Sequence, residues 1–574
     1  MTNKIYQYLS KIDYTPFIVS TSIFFTLLLL LPNWIYNPIG KQDSDTWLYT
    51  GYLFNYKLMY DLYPNSHVTD AVSINVIGNF FYTIFSVFYA NLALKFTKFI
   101  VFGYFLYNIV KIKINQKTAL WTLIASSFYF GTIVAFSSDY SDGWLAMYIT
   151  ASIYFLLKSD YYCKCINILV SGLIFAVAVG ASAQALAYIP SMILMLFLNE
   201  FFNKIEIRKI LHKAFIFALG FSAGIGLIYL IYFFITGHFS LFYNSINRAE
   251  IFLNFGRWFG PFNIHLKNNL LFTILLLLFS IYIYVKQKYN TNNFNTVVFI
   301  STISNIIVLS YMEFINKQET LSCLLYFNAI LPFILILFAI HINYFLNLIK
   351  LNAKDYIILT IMLFLSCLVP YMPVYKPVLE KMQMIIMSFE NPMPLIYPIV
   401  KLQFLIIFAG FFLIGIFMTR NRYWKIYVFF IFIILLNFTI WNNWIRNDKY
   451  SGQFTGKNML LASKQWFDYI NKSDPKRQKH GFMFNESEDL IIKNLICVSN
   501  LKFPLVGKHM PYIDSDVDLS KISNTIILGT NLDKINETFR NFEKNGKKID
   551  YKITREFING NIKFYITTVY FYDK

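Results

Sequence analysis

Apolar runs of roughly 20 residues recur along this chain from its N-terminus to about Trp444. Such a run is about as long as a helix needs to cross the ~30 Å hydrocarbon core of a bilayer. Of the 574 residues, 57% are hydrophobic and only 14% are charged. A water-soluble protein of this size needs more charge to cover its surface. The pattern therefore predicts a polytopic α-helical membrane protein with about 13 transmembrane helices.

The apolar runs give approximate bounds for these helices. The expected spans are 16–35, 93–111, 118–136, 143–158, 166–182, 184–199, 213–235, 268–286, 296–312, 321–341, 356–371, 395–419 and 426–444. The first run lacks a small-residue cleavage site, so we interpret it as a retained span rather than a signal peptide. The stretch 76–92 is also apolar, and it is expected to be either an interfacial helix or a further span.

The formal net charge of +19 has two explanations, nucleic-acid binding or membrane orientation. Most Lys and Arg residues lie in short loops between the predicted spans, which favours orientation by the positive-inside rule. No nucleic-acid partner is expected. The cation-rich loops are those on the side of the N-terminus, which is therefore predicted to be cytoplasmic. An odd number of spans then places the C-terminal part outside the cytoplasm.

The composition changes near Ile445, where charge rises and long apolar runs stop. This change divides the chain into a transmembrane domain, 1–444, and a small soluble α/β domain, 445–574. The first outer loop covers 36–92. An amphipathic helix is predicted over 458–470, and short β-type runs follow it. These predicted strands are Gly481–Phe484, Ile491–Val498, Thr525–Leu528, Tyr551–Ile553 and Ile562–Tyr570.

Two aspartates, Asp43 and Asp45, follow the first predicted span within a short polar run. In an extended segment, residues two apart face the same side. The pair is expected either to hold a divalent cation or to supply a general base. The structural alternative is a pair of solvated loop acids.

A second acidic run, which contains Asp139 and Asp142, lies between the third and fourth predicted spans on the same side of the membrane. Asp142 opens the fourth span, where a carboxylate can accept hydrogen bonds from the free N–H groups of a helix start. Capping is a sufficient structural reason for that residue. Four acids at one membrane face are nevertheless typical of a catalytic surface.

Together these motifs resemble the GT-C superfamily of polytopic glycosyltransferases, in particular protein mannosyltransferase-like and aminoarabinose transferase-like proteins. Asp43-Ser44-Asp45 and Tyr49 match the acidic motif and tyrosine of that family's first outer loop. Ser141-Asp142 matches a Ser/Thr-Asp pair before a span in the next outer loop, and a glycine-containing span follows at 172–188. The family's acids are usually adjacent, whereas Ser44 separates them here.

The resemblance implies an inverting transfer of a sugar from a polyprenyl-phosphate donor to a glycan, lipid or protein acceptor at the outer face of the membrane. Asp43, Asp45 and Asp142 would be catalytic, and Asp43 or Asp45 would take the acceptor's proton. Tyr49 and Asp139 would contact substrate. The donor phosphate would meet cations of the outer loops, for which the candidates are Arg248, Arg257, Lys267 and Lys317. Each of these cations also fits a side chain that reaches toward lipid headgroups.

The resemblance also implies a location and leaves rival functions open. The expected location is the plasma membrane, the inner membrane of a bacterium. A transporter or flippase of lipid-linked glycans is the main alternative, although such proteins usually place ionisable groups near the bilayer midplane. A polysaccharide polymerase or ligase is a third, weakened because the outer loop 236–267 holds only two arginines.

Overall fold

The fold is described from a computed structural model. It describes residues 18, 20–24, 49, 51–53, 55–62, 64–85, 87–137, 140–162, 165–202, 204–247, 277–278, 280–281, 293–314, 330–348, 465, 469, 472, 480–483, 524–529, 531–544, 546–559 and 562–573.

Before residue 349 the described chain is almost wholly helical. The α-helices are α1 (Tyr56–Leu62), α2 (Val72–Ile84), α3 (Val87–Lys113), α4 (Gln116–Phe128), α5 (Phe130–Ser137), α6 (Ser141–Tyr162), α7 (Cys165–Val179), α8 (Ile189–Phe202), α9 (Ile207–Thr236), α10 (Asn293–Phe314) and α11 (Leu331–Leu348). Short 3-10 helices form at His67–Asp70 and Ala183–Tyr188.

Several of these helices have the length and composition of membrane spans. Within the described residues, four helices are long and apolar enough to cross a bilayer, namely Tyr89–Lys113, Ala183–Phe202, Ile207–Thr236 and Asn293–Glu313. Helix α9 leaves many apolar side chains exposed, among them Leu219, Leu227 and Phe234. Because water would penalise that exposure, such a surface suits contact with lipid. The prediction of a helical membrane protein is confirmed at this level.

Some of the predicted spans coincide with described helices, and others are described only in part or not at all. Spans 93–111, 143–158, 213–235 and 296–312 lie within α3, α6, α9 and α10. Spans 16–35 and 268–286 are described only at a few residues, which are helical, and the described part of 321–341 begins at residue 330. Spans 356–371, 395–419 and 426–444 lie outside the described residues. The number of about 13 spans therefore stays a prediction.

The predicted span 118–136 is not one straight helix. Its two halves, Gln116–Ser127 and Gly131–Ser137, are bent by 69°. The hydroxyls of Ser126 and Ser127 donate to the carbonyls of Leu123 and Ile124, at 2.7 and 2.6 Å. Serine side chains that bond carbonyls of the preceding turn bend helices. The apolar length of this span was predicted, but its break was not.

The apolar stretch 76–92, expected as an interfacial helix or a further span, is divided between two helices. It contains the end of α2 and the start of α3, and Phe85, which caps α2, is extended. Helix α2 has 13 residues, too few for a bilayer-spanning helix of about 20. Of the closely spaced pair 166–199, α7 is a short apolar helix, while Ala183–Phe202 is long enough to span.

Helices α7 and α9 pack at unusually close range. A Cβ atom added at Gly220 of α9 would lie 2.1 Å from the carbonyl oxygen of Leu169, and one at Gly172 of α7 would lie 2.1 Å from that of Phe217. Small residues at such spacing let helix backbones touch, which is how helices associate without a hydrophobic driving force in lipid.

The C-terminal described residues form a small sheet with one helix. Strands β1 (His480–Met483), β2 (Asn524–Gly529), β3 (Lys547–Asn559) and β4 (Ile562–Asp573) are arranged in the order β1-β2-β4-β3. The β1–β2 pair is parallel and the other two pairs are antiparallel. Helix α12 (Leu532–Lys544) packs Ile535, Phe539 and Phe542 against the sheet. Four predicted strands are confirmed, and 491–498 lies outside the described residues.

Candidate functional site

Asp142 lies in the first turn of α6 and is 5% exposed. The turn before it is tight, since a Cβ atom at Gly143 would lie 2.1 Å from the carbonyl oxygen of Ala135 in α5. Only glycine allows α5 to approach the start of α6 so closely. A carboxylate at a helix N-terminus is favoured by the helix dipole. Asp142 is therefore a buried acid at a helix start that α5 approaches closely, which is compatible with both the capping and the catalytic interpretation.

Tyr49 of the first outer loop contacts the residue two positions before Asp142. The ring centroids of Tyr49 and Tyr140 are 5.2 Å apart, and those of Tyr49 and His67 are 5.8 Å apart. Tyr49 and Tyr140 are 6% and 9% exposed. Buried aromatic contacts of this kind fix the relative position of the segments that carry them. The chain that follows Asp43-Ser44-Asp45 is thus packed beside the start of α6.

Two buried lysines lie on α3. Neither was predicted as a site residue. Lys95 and Lys98 are 0% and 1% exposed and fall inside the apolar helix Tyr89–Lys113. The Lys98 Nζ atom is 5.5 Å from the ring centroid of Trp144, two residues after Asp142. Buried charges within an apolar helix are costly and are usually functional. Their signal in the sequence was a pair of cations at i, i+3 inside an otherwise apolar run.

A buried acid, Asp70, joins the first outer loop to the segment after α9. Its Oδ2 atom accepts from the backbone N–H and the hydroxyl of Ser245, at 2.8 and 2.7 Å. Burial raises the pKa of Asp70, and the hydrogen bonds from Ser245 and Thr69 oppose that rise. Burial likewise raises the pKa of the nearby Tyr56 hydroxyl, to which Tyr232 and Asp70 add. Asp70 therefore connects the 3-10 helix His67–Asp70 with the segment after α9.

Only two of the predicted site residues, Asp142 and Tyr49, are among the described residues. Tyr49 contacts Tyr140, two positions before Asp142. The others lie outside the described residues: Asp43, Asp45, Asp139, Arg248, Arg257, Lys267 and Lys317.

The described part of the chain offers no metal centre. None of its His, Cys, Asp and Glu residues form a group of three or more that could hold a metal ion. Asp43 and Asp45 lie outside that part, so the divalent cation stays a prediction.

The chain matches no protein-family model and no curated protein.

Proposed function

We propose that this chain is a GT-C-type glycosyltransferase that moves a sugar from a polyprenyl-phosphate donor to an acceptor at the outer face of the membrane. The observation that carries the proposal is the contact of Tyr49 with Tyr140. That contact brings the segment after the acidic motif to the buried Asp142. An active site built from acids of separate loops needs such an arrangement.

The proposed architecture goes beyond the described helices. It has about 13 transmembrane helices, with the N-terminus in the cytoplasm. The residues 445–574 form a soluble α/β domain on the opposite side, next to the acceptor. The described sheet and α12 are consistent with such a domain.

The reaction is a single displacement at the anomeric carbon of the donor sugar. A carboxylate of Asp43 or Asp45 accepts the proton of the acceptor hydroxyl, whose oxygen forms the new bond to that carbon. The bond between the same carbon and the phosphate oxygen breaks, and polyprenyl phosphate leaves with the electron pair. Because attack and departure are on opposite faces, the configuration inverts.

The buried lysines would assist departure of the phosphate. As phosphate gains charge in the transition state, a fixed cation in a site that excludes water stabilises it. Lys98 lies beside Trp144 at the start of α6, close along the chain to Asp142. Lysine binds phosphate as a point charge and needs no bidentate geometry.

Lys98→Met tests this role. We expect the variant to raise KM for the donor by about 10- to 100-fold, since one charged contact to the substrate is lost. Lys111→Met is the matched control, because Lys111 lies on the same helix but is exposed at its other end. Initial rates with purified full-length protein and defined polyprenyl-phosphate sugars measure the effect. Equal KM values for the two variants would remove Lys98 from the donor site.

A second candidate is a transporter or flippase of lipid-linked glycans. Two observations favour it, the buried lysines within a span and the 69° break between α4 and α5. Transporters use interrupted helices and intramembrane charges to build their substrate sites. The transferase and transporter functions are distinguished in proteoliposomes that contain a labelled polyprenyl-phosphate sugar. A transferase moves the sugar to an acceptor, whereas a transporter carries the intact lipid across the bilayer and leaves the sugar attached.

A further inference from the structure

We propose that Asp70 is a positioning residue that holds the segment after α9 against the first outer loop by accepting its hydrogen bonds. Neither the acidic motif nor the resemblance pointed to this residue. The docking of the two segments rests on the hydrogen bonds that Asp70 accepts. Its consequence for sugar transfer rests on the proposed function.

The Asp70 carboxylate is surrounded by donors from both segments. Its Oδ2 atom accepts from the Ser245 N–H and hydroxyl at 2.8 and 2.7 Å, and its Oδ1 atom from the Thr69 hydroxyl at 3.3 Å. Asp70 is 3% exposed, so it depends on these donors in place of water. These hydrogen bonds join Asp70 to Ser245, which lies 175 residues later in the sequence.

A neighbouring asparagine makes a second connection between the same two segments. The Asn244 Nδ2 group donates to the carbonyl of Pro64 at 2.9 Å and to the Thr69 hydroxyl at 3.0 Å. At the other end of the segment, the hydroxyls of Tyr232 and Ser240 are 3.5 Å apart. The segment is therefore fastened both to α9 and to the loop that contains Asp70.

The backbone around Asp70 is itself held by hydrogen bonds from the neighbouring helices. The Tyr56 hydroxyl donates to the carbonyl of Thr69 at 2.6 Å, and the Asn75 side chain donates to that of Val68 at 2.8 Å. Both carbonyls belong to the 3-10 helix that ends at Asp70. Side chains from the preceding and the following helix thus fix the backbone around the carboxylate.

The docked segment holds an uncommon backbone conformation. Phe242 has a φ of 67°, in the left-handed region that a bulky residue seldom adopts. Such a conformation costs free energy and persists only where the surrounding contacts enforce it. The hydrogen bonds from Ser245, three residues later, to Asp70 are such contacts. The docked segment is described up to residue 247, and the next residue in the sequence is Arg248, a predicted phosphate contact.

Hydrogen exchange on the full-length protein in lipid nanodiscs tests the docking. Asp70→Ala removes the hydrogen-bond acceptor of the Ser245 amide, and we expect this amide to exchange about 10-fold faster or more. Asp70→Asn keeps a carbonyl oxygen in the same place and is expected to restore most of the protection. Asp61→Ala is the matched control, an exposed acid of the same loop paired with Lys57 at 2.7 Å, and it should change nothing.

The result that overturns the docking is unchanged exchange of the Ser245 amide in Asp70→Ala. Exchange in α7, which packs closely on α9, shows whether the helical part of the variant is folded. Ser245→Ala provides a second variant should Asp70→Ala fail to fold. It removes the hydroxyl donor and keeps the backbone N–H; faster exchange of the amide at position 245 supports the docking, while unchanged exchange contradicts it.

The kinetic measurement separates positioning from acid–base chemistry. We expect Asp70→Ala to raise KM for a polyprenyl-phosphate sugar by about 10-fold while kcat falls less, and Asp70→Asn to restore KM. Should Asp70→Asn keep normal amide protection but lose kcat as strongly as Asp70→Ala, the charge of Asp70 matters and the positioning role is wrong. A wild-type chain that transfers no sugar contradicts the proposed function and leaves the exchange result to decide the docking.

Discussion

Replacing Asp43 or Asp45 by Asn is expected to reduce sugar transfer by at least about 100-fold without preventing insertion or folding. Asparagine keeps the shape of the side chain but cannot accept the acceptor's proton. Tyr49 lies four residues after Asp45 and packs against Tyr140. This packing supports a catalytic position for Asp43-Ser44-Asp45. The two variants are compared by initial rate at saturating donor.

The pattern between the two variants also distinguishes base from metal ligand. Loss of transfer in Asp43→Asn alone identifies the base as Asp43, the first acid of the matched motif. Loss in both, with activity that depends on an added divalent cation, identifies a shared metal site. Asp61→Asn is the control, since Asp61 is an exposed acid of the same outer loop. Full transfer by both variants would eliminate the catalytic assignment.

Replacing Gly220 by Ala is expected to destabilise the protein by about 1–3 kcal/mol. The added methyl carbon would lie 2.1 Å from the carbonyl oxygen of Leu169, and backbone cannot move aside as a flexible side chain can. Helices α7 and α9 would have to separate along their length. Thermal unfolding in detergent, followed by tryptophan fluorescence, measures the loss as a lower Tm.

Gly226 of the same helix is a matched control for this substitution. A Cβ atom added there would have nothing within 4 Å. Since alanine favours a helix over glycine by about 0.5–1 kcal/mol, Gly226→Ala should leave the Tm unchanged or raise it slightly. Similar losses in both variants would mean that helix propensity rather than close packing governs this pair.

The helices and strands were largely predictable because their signals are local. Apolar runs gave α3, α9 and α10 to within six residues at each end, and short β-type runs gave β2 and β4. Helix α12 was missed, although its signal was present. Ile535, Phe539 and Phe542 stand at i, i+4 and i+7, and the Asn531 side chain accepts from the N–H of Asp533 at 2.9 Å as a helix cap.

The contacts of the candidate site were harder to predict because they are long-range. Asp70 was visible as one of several outer acids, but no periodicity links it to Ser245, 175 residues later. The buried position of Lys95 and Lys98 depends on which face of α3 meets α6. A nearly uniform apolar helix does not reveal that face. Of the contacts around Asp142, the sequence alone predicts only those with its neighbours along the chain.

The length of α9 has a consequence for how this protein sits in its membrane. Its apolar part, 214–236, measures about 34 Å at 1.5 Å per residue. A hydrocarbon core of about 30 Å is shorter, so the helix has to tilt or the bilayer has to thicken around it. The segment held by Asp70 begins directly after this helix. Where α9 crosses the bilayer, the bilayer thickness would set the position of that segment relative to the lipid, and lipids with longer acyl chains would shift it.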